Sequence, residues 1–190
     1  MTVEGVGSVE TGALVAQAQA GDARAFGELM TRHRAEVYAV ALRMVADREM
    51  AADVTQEAFV RAWRGLPRFR GESRFSTWIH RIAINVSLDH RKRKNRERTT
   101  SIDHPSVPEP TDGGLTPERA AESVALRDDL EAALRALPDD ARTVVVLKDV
   151  HGWSHGEIAE HLGITVTAAK VRLHRARKQL RSMLWPKVRP

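Results

Sequence analysis

No cysteine occurs among the 190 residues. Disulfides and thiolate metal sites are thereby excluded, and nothing points to an oxidising compartment. No apolar run approaches the roughly 20 residues needed to cross a bilayer. The opening stretch MTVEGVGSVETG has neither a basic start nor an apolar centre, so it does not read as a signal peptide. The expected location is the cytoplasm, with no membrane contact of the chain's own. Strand signals are almost missing too. The longest, Thr143–Leu147, sits between helix-like neighbours and is expected to be helical. Gly-rich phosphate loops and nucleophilic serine motifs are absent. His151, His155 and His161 have no carboxylate spaced to join them as metal ligands. Asp53 and Glu57, four apart on a helix, fit a solvated or docking face better than a metal site. The chain is therefore expected to be no enzyme and to carry neither cofactor nor metal.

What is present is helix. From Ala13 to about Arg93, Ala, Leu, Arg and Glu dominate, and apolar residues return every three or four positions. One such face begins at Ala25, Phe26, Leu29 and Met30 and continues at Val37, Val40, Ala41 and Met44. A further helix, Ala51 to Gly65, starts after Asp47 and carries Val54, Ala58, Phe59, Ala62 and Trp63 inward. Gly65 and Pro67 stop it. After a basic loop, Ser76 or Thr77 is expected to cap a helix bearing Trp78, Ile79, Ile82, Ala83 and Val86. Composition changes abruptly near Thr99, and 99–117 holds four of the eight prolines and a Gly-Gly pair. Such a segment buries too little apolar surface to offset its ordering entropy. The expected fold class is therefore all-α, with two small helical domains joined by a flexible linker. The boundaries are a disordered N-terminus at 1–12, a helical bundle at 13–95, the linker at 96–117, a second domain at 118–185 and a tail at 186–190. Thr116-Pro117-Glu118 reads as a cap with Pro at the first helical position.

The strongest local signal lies in the second domain. Ser154 caps a short helix, and Glu157 three residues on completes a capping box. Ile158 and Leu162 face inward, and Gly163 suits a tight turn. Thr165 or Thr167 starts a second helix whose inner face is Ala168 or Ala169, then Leu173, Ala176 and Leu180. Helix, glycine turn and helix form the motif that lays its second helix in the DNA major groove. The net charge is only +5, but its placement is one-sided. Between Val166 and Pro190 the charges are all basic, which suits phosphate neutralisation. Lys170, Val171, His174 and Arg175 face away from Leu173 and Ala169 and are candidates for base edges. Arg172, Arg177 and Lys178 are candidates for phosphates.

In the first domain, Arg68, Arg70, Arg74 and Arg81 are interleaved with Phe69, Phe75 and Trp78. Stacking platforms beside cations suit single-stranded DNA. Phe75 and Trp78 equally suit a core, whereas Phe69, between two arginines, is expected to be exposed.

Two motif strings are similar to those of one family. Asp53-Val-Thr-Gln-Glu-Ala-Phe-Val-Arg-Ala-Trp63 with Phe69-Arg-Gly-Glu-Ser-Arg-Phe-Ser-Thr-Trp-Ile-His-Arg-Ile-Ala-Ile-Asn85 resembles region 2 of the extracytoplasmic-function (ECF) sigma factors, in the sigma-70 family of bacterial RNA polymerase. Leu137-Pro-Asp-Asp-Ala-Arg-Thr-Val-Val-Val-Leu-Lys-Asp149, with the helix-turn-helix after it, resembles their region 4. The resemblance implies promoter-directed transcription initiation in a stress or envelope response. It implies docking on core RNA polymerase, on the β′ and β subunits, with Asp53, Gln56 and Glu57 meeting β′. It implies that the loop 68–77 and the helix after it, with Asn85, hold flipped bases of the −10 element, while the helix 167–180 reads the −35 duplex. Promoter DNA and an anti-sigma factor are the other implied partners. Many relatives carry Pro and Gly-Thr at the start of the recognition helix, where this chain has Thr165-Val-Thr-Ala-Ala169. The alternative is a stand-alone helix-turn-helix regulator that dimerises through its first domain. A third reading is a module whose basic tails bind RNA loosely.

Overall fold

The computed structural model describes the chain from Val3 to Arg98 and from Arg119 to Trp185. These residues form helices and turns with no strand among them, divided between two compact units.

The first unit contains α1 (Val3–Gln19), α2 (Ala23–Val45), α3 (Arg48–Gly65), one 3-10 turn (Leu66–Arg68) and α4 (Phe75–Arg98). Helix α2 begins where Asp22 accepts from the amides of Arg24 and Ala25 at 2.8 and 3.3 Å. Helix α3 begins where Asp47 accepts from Met50 N–H at 3.1 Å. Each cap satisfies amide donors that a first helical turn leaves orphaned. Leu29, Val37, Met44, Val54, Leu66, Ile79 and Ile84 are fully buried between the helices. Ala41, Ala51, Ala58, Ala62 and Ala83 are equally buried, and their small side chains let the helices approach closely.

Two expectations need correction here. The N-terminus was expected to be disordered over 1–12, yet α1 starts at Val3. Val15 and Ala18 are buried against the bundle. Once that part is anchored, each further residue added N-terminally costs little and gains a hydrogen bond. Helix α4 begins at Phe75, not after a cap at Ser76 or Thr77. The Phe75 ring is only 4% exposed, so its burial draws the backbone into the first turn, where Trp78 N–H donates to Arg74 O at 3.1 Å.

The second unit contains α5 (Arg119–Ala136), α6 (Asp139–Val145), a wide five-residue turn (Val146–Val150), α7 (His155–Leu162) and α8 (Val166–Leu184). Thr143–Leu147 is helical, as expected. Val144, Val146, Leu147 and Ile158 form its core with Leu137 and the inner face of α8. In the wide turn His151 N–H reaches back to Val146 O at 3.1 Å, one residue beyond α-helical spacing. The Arg142 side chain is 4% exposed. It bonds Asp139 at 2.6 Å and the carbonyls of Arg135 and Leu137 at 3.4 Å each. A cation on the last carbonyls of α5 opposes that helix's negative end. Arg142→Met keeps the apolar stem but removes these bonds. It is expected to destabilise this unit by ~2–4 kcal/mol, read as faster amide exchange throughout α8.

Of the expected linker, only Arg96–Arg98 falls within the described residues, as the last turn of α4. The rest of it, the Thr116-Pro117-Glu118 cap and the tail 186–190 lie outside them.

Candidate nucleic-acid interface and docking face

The basic loop of the first unit is built around an aromatic cluster. The Phe69 ring lies 4.9 Å from that of Trp78 and 6.3 Å from that of Phe75, while Phe75 and Trp78 are 5.8 Å apart. His33 of α2 supports Phe75 at 5.3 Å. Gly65 lies beside Trp78, where a Cβ would rest in ordinary contact with the indole at 3.4 Å. Phe69 was expected to be exposed, and it is half-buried. The 3-10 turn folds the chain back and lays its ring on Trp78. Beyond it, Gly71 turns the loop at φ +72°, a conformation that disfavours any residue with a Cβ. Arg68, Arg70, Arg74 and Arg81 stand exposed around the cluster, with Arg70 3.6 Å from Glu72. Asn85 is half-buried, and its Oδ1 is buried with no hydrogen bond from any described residue. The arrangement offers ring faces and cations to an unpaired base and its phosphates. Sequence reasoning missed Gln19 and His33, whose roles depend on contacts across the fold.

On α3, Asp53 and Gln56 are exposed, but Glu57 is turned into a network. Its Oε1 accepts from Arg61 at 2.5 and 3.0 Å, and its Oε2 lies 2.7 Å from His90 Nε2. Arg61 also bonds Asp89 at 2.9 Å, so the network ties α3 to α4. The hydrogen bond from His90, with help from Arg61, holds the Glu57 carboxyl below its ordinary value of 4.5, against the opposing effect of burial. A carboxyl lowered by folding contributes stability above its ordinary value and loses it as pH falls through the lowered one. Glu57→Gln is therefore expected to flatten the acid side of the first unit's stability profile, read by circular dichroism from neutral pH downward. Along the same face as Asp53 and Gln56 come Val60 and Trp63, 48% and 38% exposed. Trp63 leans on Phe26 at 4.9 Å and still presents indole surface. Its helical spacing marked Trp63 as inward-facing, and only the packing shows that part of it is left outside.

The helix-turn-helix follows the local signals closely. Ser154 Oγ accepts from Glu157 N–H at 3.1 Å, and Glu157 accepts from Ser154 N–H at 2.8 Å. Gly163 adopts φ +63°, and Ile164 N–H closes the turn on Ala159 O at 3.0 Å. Thr165, not Thr167, is the cap of α8, its Oγ1 accepting from Ala168 N–H at 3.1 Å. Ala169, Leu173, Ala176 and Leu180 are buried. Lys170, Val171, His174, Arg175 and Lys178 are exposed on the opposite face. Two expected phosphate contacts are already engaged within the unit. Arg172 bonds Asp140 at 3.0 Å, and Arg177 grips both carboxylate oxygens of Asp149, with Nε to Oδ2 at 3.1 Å. The acidic partners missing from the 166–190 stretch are supplied by α6 and the wide turn. No group of three His or acidic residues among the described residues is placed to hold a metal ion.

Comparison with known proteins agrees with both units. Residues 29–97 match the Sigma-70 region 2 family and residues 127–180 match Sigma-70 region 4. RNA polymerase sigma-H factor of Pseudomonas aeruginosa is 35% identical, over 93% of this chain and 94% of its own length. ECF RNA polymerase sigma factor SigW of Bacillus subtilis is 33% identical, over 90% and 94%. The solved structure of CnrH in complex with the cytosolic domain of CnrY is 29% identical with a TM-score of 0.51, covering 90% of this chain and 95% of that one. Sigma factor RpoE of Bartonella quintana, in complex with the anti-sigma factor NepR, shares the fold at a TM-score of 0.58 and 23% identity, over 87% and 98% of the two chains. The chain belongs to the sigma-70 family. Within it, the chain is an ECF sigma factor, a promoter-specificity and initiation factor of RNA polymerase rather than an enzyme. No helix among the described residues is long and apolar enough to cross a membrane.

Proposed function

We propose that the two units read the two halves of a promoter while the first holds the polymerase. Lys170, Val171, His174 and Arg175 of α8 read base edges of the −35 duplex, with Lys178 on a phosphate and Arg172 and Arg177 beside the backbone. Arg68, Phe69, Arg70, Arg74, Trp78, Arg81 and Asn85 receive unpaired bases of the −10 element; Phe75, expected among them, is buried and holds the cluster together from beneath. Asp53 and Gln56, with Val60 and Trp63, meet the β′ subunit, and the second unit meets β. Glu57 supports that face from behind through Arg61 and His90. The observation that carries the reading is the outer face of α8. It is basic and exposed, set behind a capped glycine turn, and such a face suits a major groove. Complexes of similar structures with a cytosolic domain and with an anti-sigma factor support an anti-sigma factor as a further partner. The place of action is the cytoplasm, beside the polymerase, in a stress or envelope response.

The test is reconstitution with purified core RNA polymerase on promoters selected from a random DNA pool. Start-site-specific transcripts that require the chain, with protection of both elements, are expected. Tight binding of the chain alone to a palindromic duplex, with no effect on core, would instead identify a stand-alone regulator.

A further inference from the structure

The last residue of α1 reaches across the first unit. Gln19 Nε2 donates to Leu66 O at 3.0 Å and to Phe69 O at 2.7 Å, partners 47 and 50 positions away in sequence. Its carboxamide nitrogen carries two N–H donors, and both are used. The two carbonyls bracket the 3-10 turn, which closes internally where Phe69 N–H donates to the same Leu66 oxygen at 3.0 Å.

This bracket sits between the buried Leu66 and the exposed part of the loop. Downstream of Phe69, the loop is anchored by burial of Phe75, and Arg70 and Glu72 are 83% and 77% exposed. Upstream, the chain has just left α3 at Gly65. Fixing the Phe69 carbonyl fixes the peptide plane between Phe69 and Arg70. That plane sets the direction in which the chain leaves towards Arg70, next to the residue whose ring meets Trp78. A loop held in this way meets its ligand without first being ordered, and preorganisation of that kind raises affinity.

We propose that Gln19 is a positioning residue for single-stranded DNA, acting through the backbone of Leu66 and Phe69 to keep the aromatic cluster assembled. The proposal rests on the reading of loop 68–77 as the −10 element's receptor. It gives α1 a part in promoter opening, although α1 supplies none of the groups proposed to touch DNA.

The test uses the full chain bound to core polymerase and a fluorescent single-stranded oligonucleotide, selected from a random pool by the parental holoenzyme. Gln19→Met keeps the side chain's length and loses the donors. Gln19→Glu keeps its shape and turns a carboxylate on two carbonyl oxygens. Affinity for the strand is expected to fall about tenfold in the Met variant and further in the Glu variant. Affinity for core polymerase and for −35 duplex should stay at the parental level. Phe69→Ala serves as the reference. If it weakens strand binding while both Gln19 variants match the parent, the proposal is overturned and the loop reading stands. If Glu matches the parent and only Met is weak, shape rather than donation matters, and the proposal is again overturned. If Phe69→Ala binds as the parent does, the loop reading fails and takes the proposal with it.

Discussion

Trp63→Ala is expected to weaken binding to core RNA polymerase by about 30-fold or more, roughly 2 kcal/mol, the size of an aromatic anchor in an interface. The indole is 38% exposed although its other side rests on Phe26, and Val60, a turn earlier, is 48% exposed. Apolar surface of this kind, rimmed by exposed Asp53 and Gln56, is what a partner would cover. Aromatic anchors dominate such interfaces because they bury much area at little cost in side-chain freedom. Titration of labelled core polymerase reads the effect, with Lys178→Ala on the other unit as a control expected to bind normally. Thermal unfolding of the variant checks that lost contact with Phe26 has not unfolded the bundle. Glu57→Gln makes the useful contrast. It disturbs the link between α3 and α4, yet the acceptors proposed to face β′ stay in place, so its effect on docking should be several-fold smaller. Equal binding by Trp63→Ala and the parent would move the docking face away from this side of α3.

The parts of this molecule that were legible in the sequence are those decided within a few residues. Ser154 and Glu157 cap α7 three positions apart, Gly163 makes the turn, and the start of α8 was narrowed to Thr165 or Thr167, of which Thr165 is the cap. The buried face of α8 follows from helical spacing alone. A short-range signal of the same kind located the start of α3 at Asp47, and α2 showed itself through its apolar spacing. What escaped was set by partners far along the chain. Glu57 looks like one more exposed acid until α4 brings His90 and Asp89 beside it and Arg61. Phe69, between two arginines, looks solvent-facing until Gln19 and Trp78 close on it. Phe75, not a hydroxyl cap, opens α4 because burying a ring outweighs a capping bond of about 1 kcal/mol. Site residues on the outside of α8 could be named early because facing away from a predictable core is itself a local property. Their ion-pair partners could not.

That difference bears directly on what each arginine of α8 does. Arg175→Ala and Arg177→Ala, two positions apart, are expected to behave as different classes of variant. Arg175 is exposed, on the face opposite Leu173 and Ala176. If it reads a base edge, its loss costs ~1–3 kcal/mol, about 5- to 150-fold, and relaxes preference at one base pair. Arg177 already shares both oxygens of Asp149, and this hydrogen-bonded pairing raises its pKa further. A cation whose charge is balanced within the protein releases few counterions on meeting a phosphate. Arg177→Ala should therefore change the dependence of log affinity on log salt by much less than the ~0.9 per phosphate expected of an unpaired cation. Asp149→Ala gives the converse. It frees Arg177, so affinity for every sequence should rise at low salt and the slope should steepen by up to ~0.9. Anisotropy of holoenzyme on −35 duplexes, over a salt series and a set of single base changes, separates these cases. Arg175→Ala weakening every duplex equally would make Arg175 a phosphate contact. A full unit of slope lost in Arg177→Ala would mean that the Asp149 pair opens when DNA arrives, leaving Asp149 to orient the guanidinium only until then.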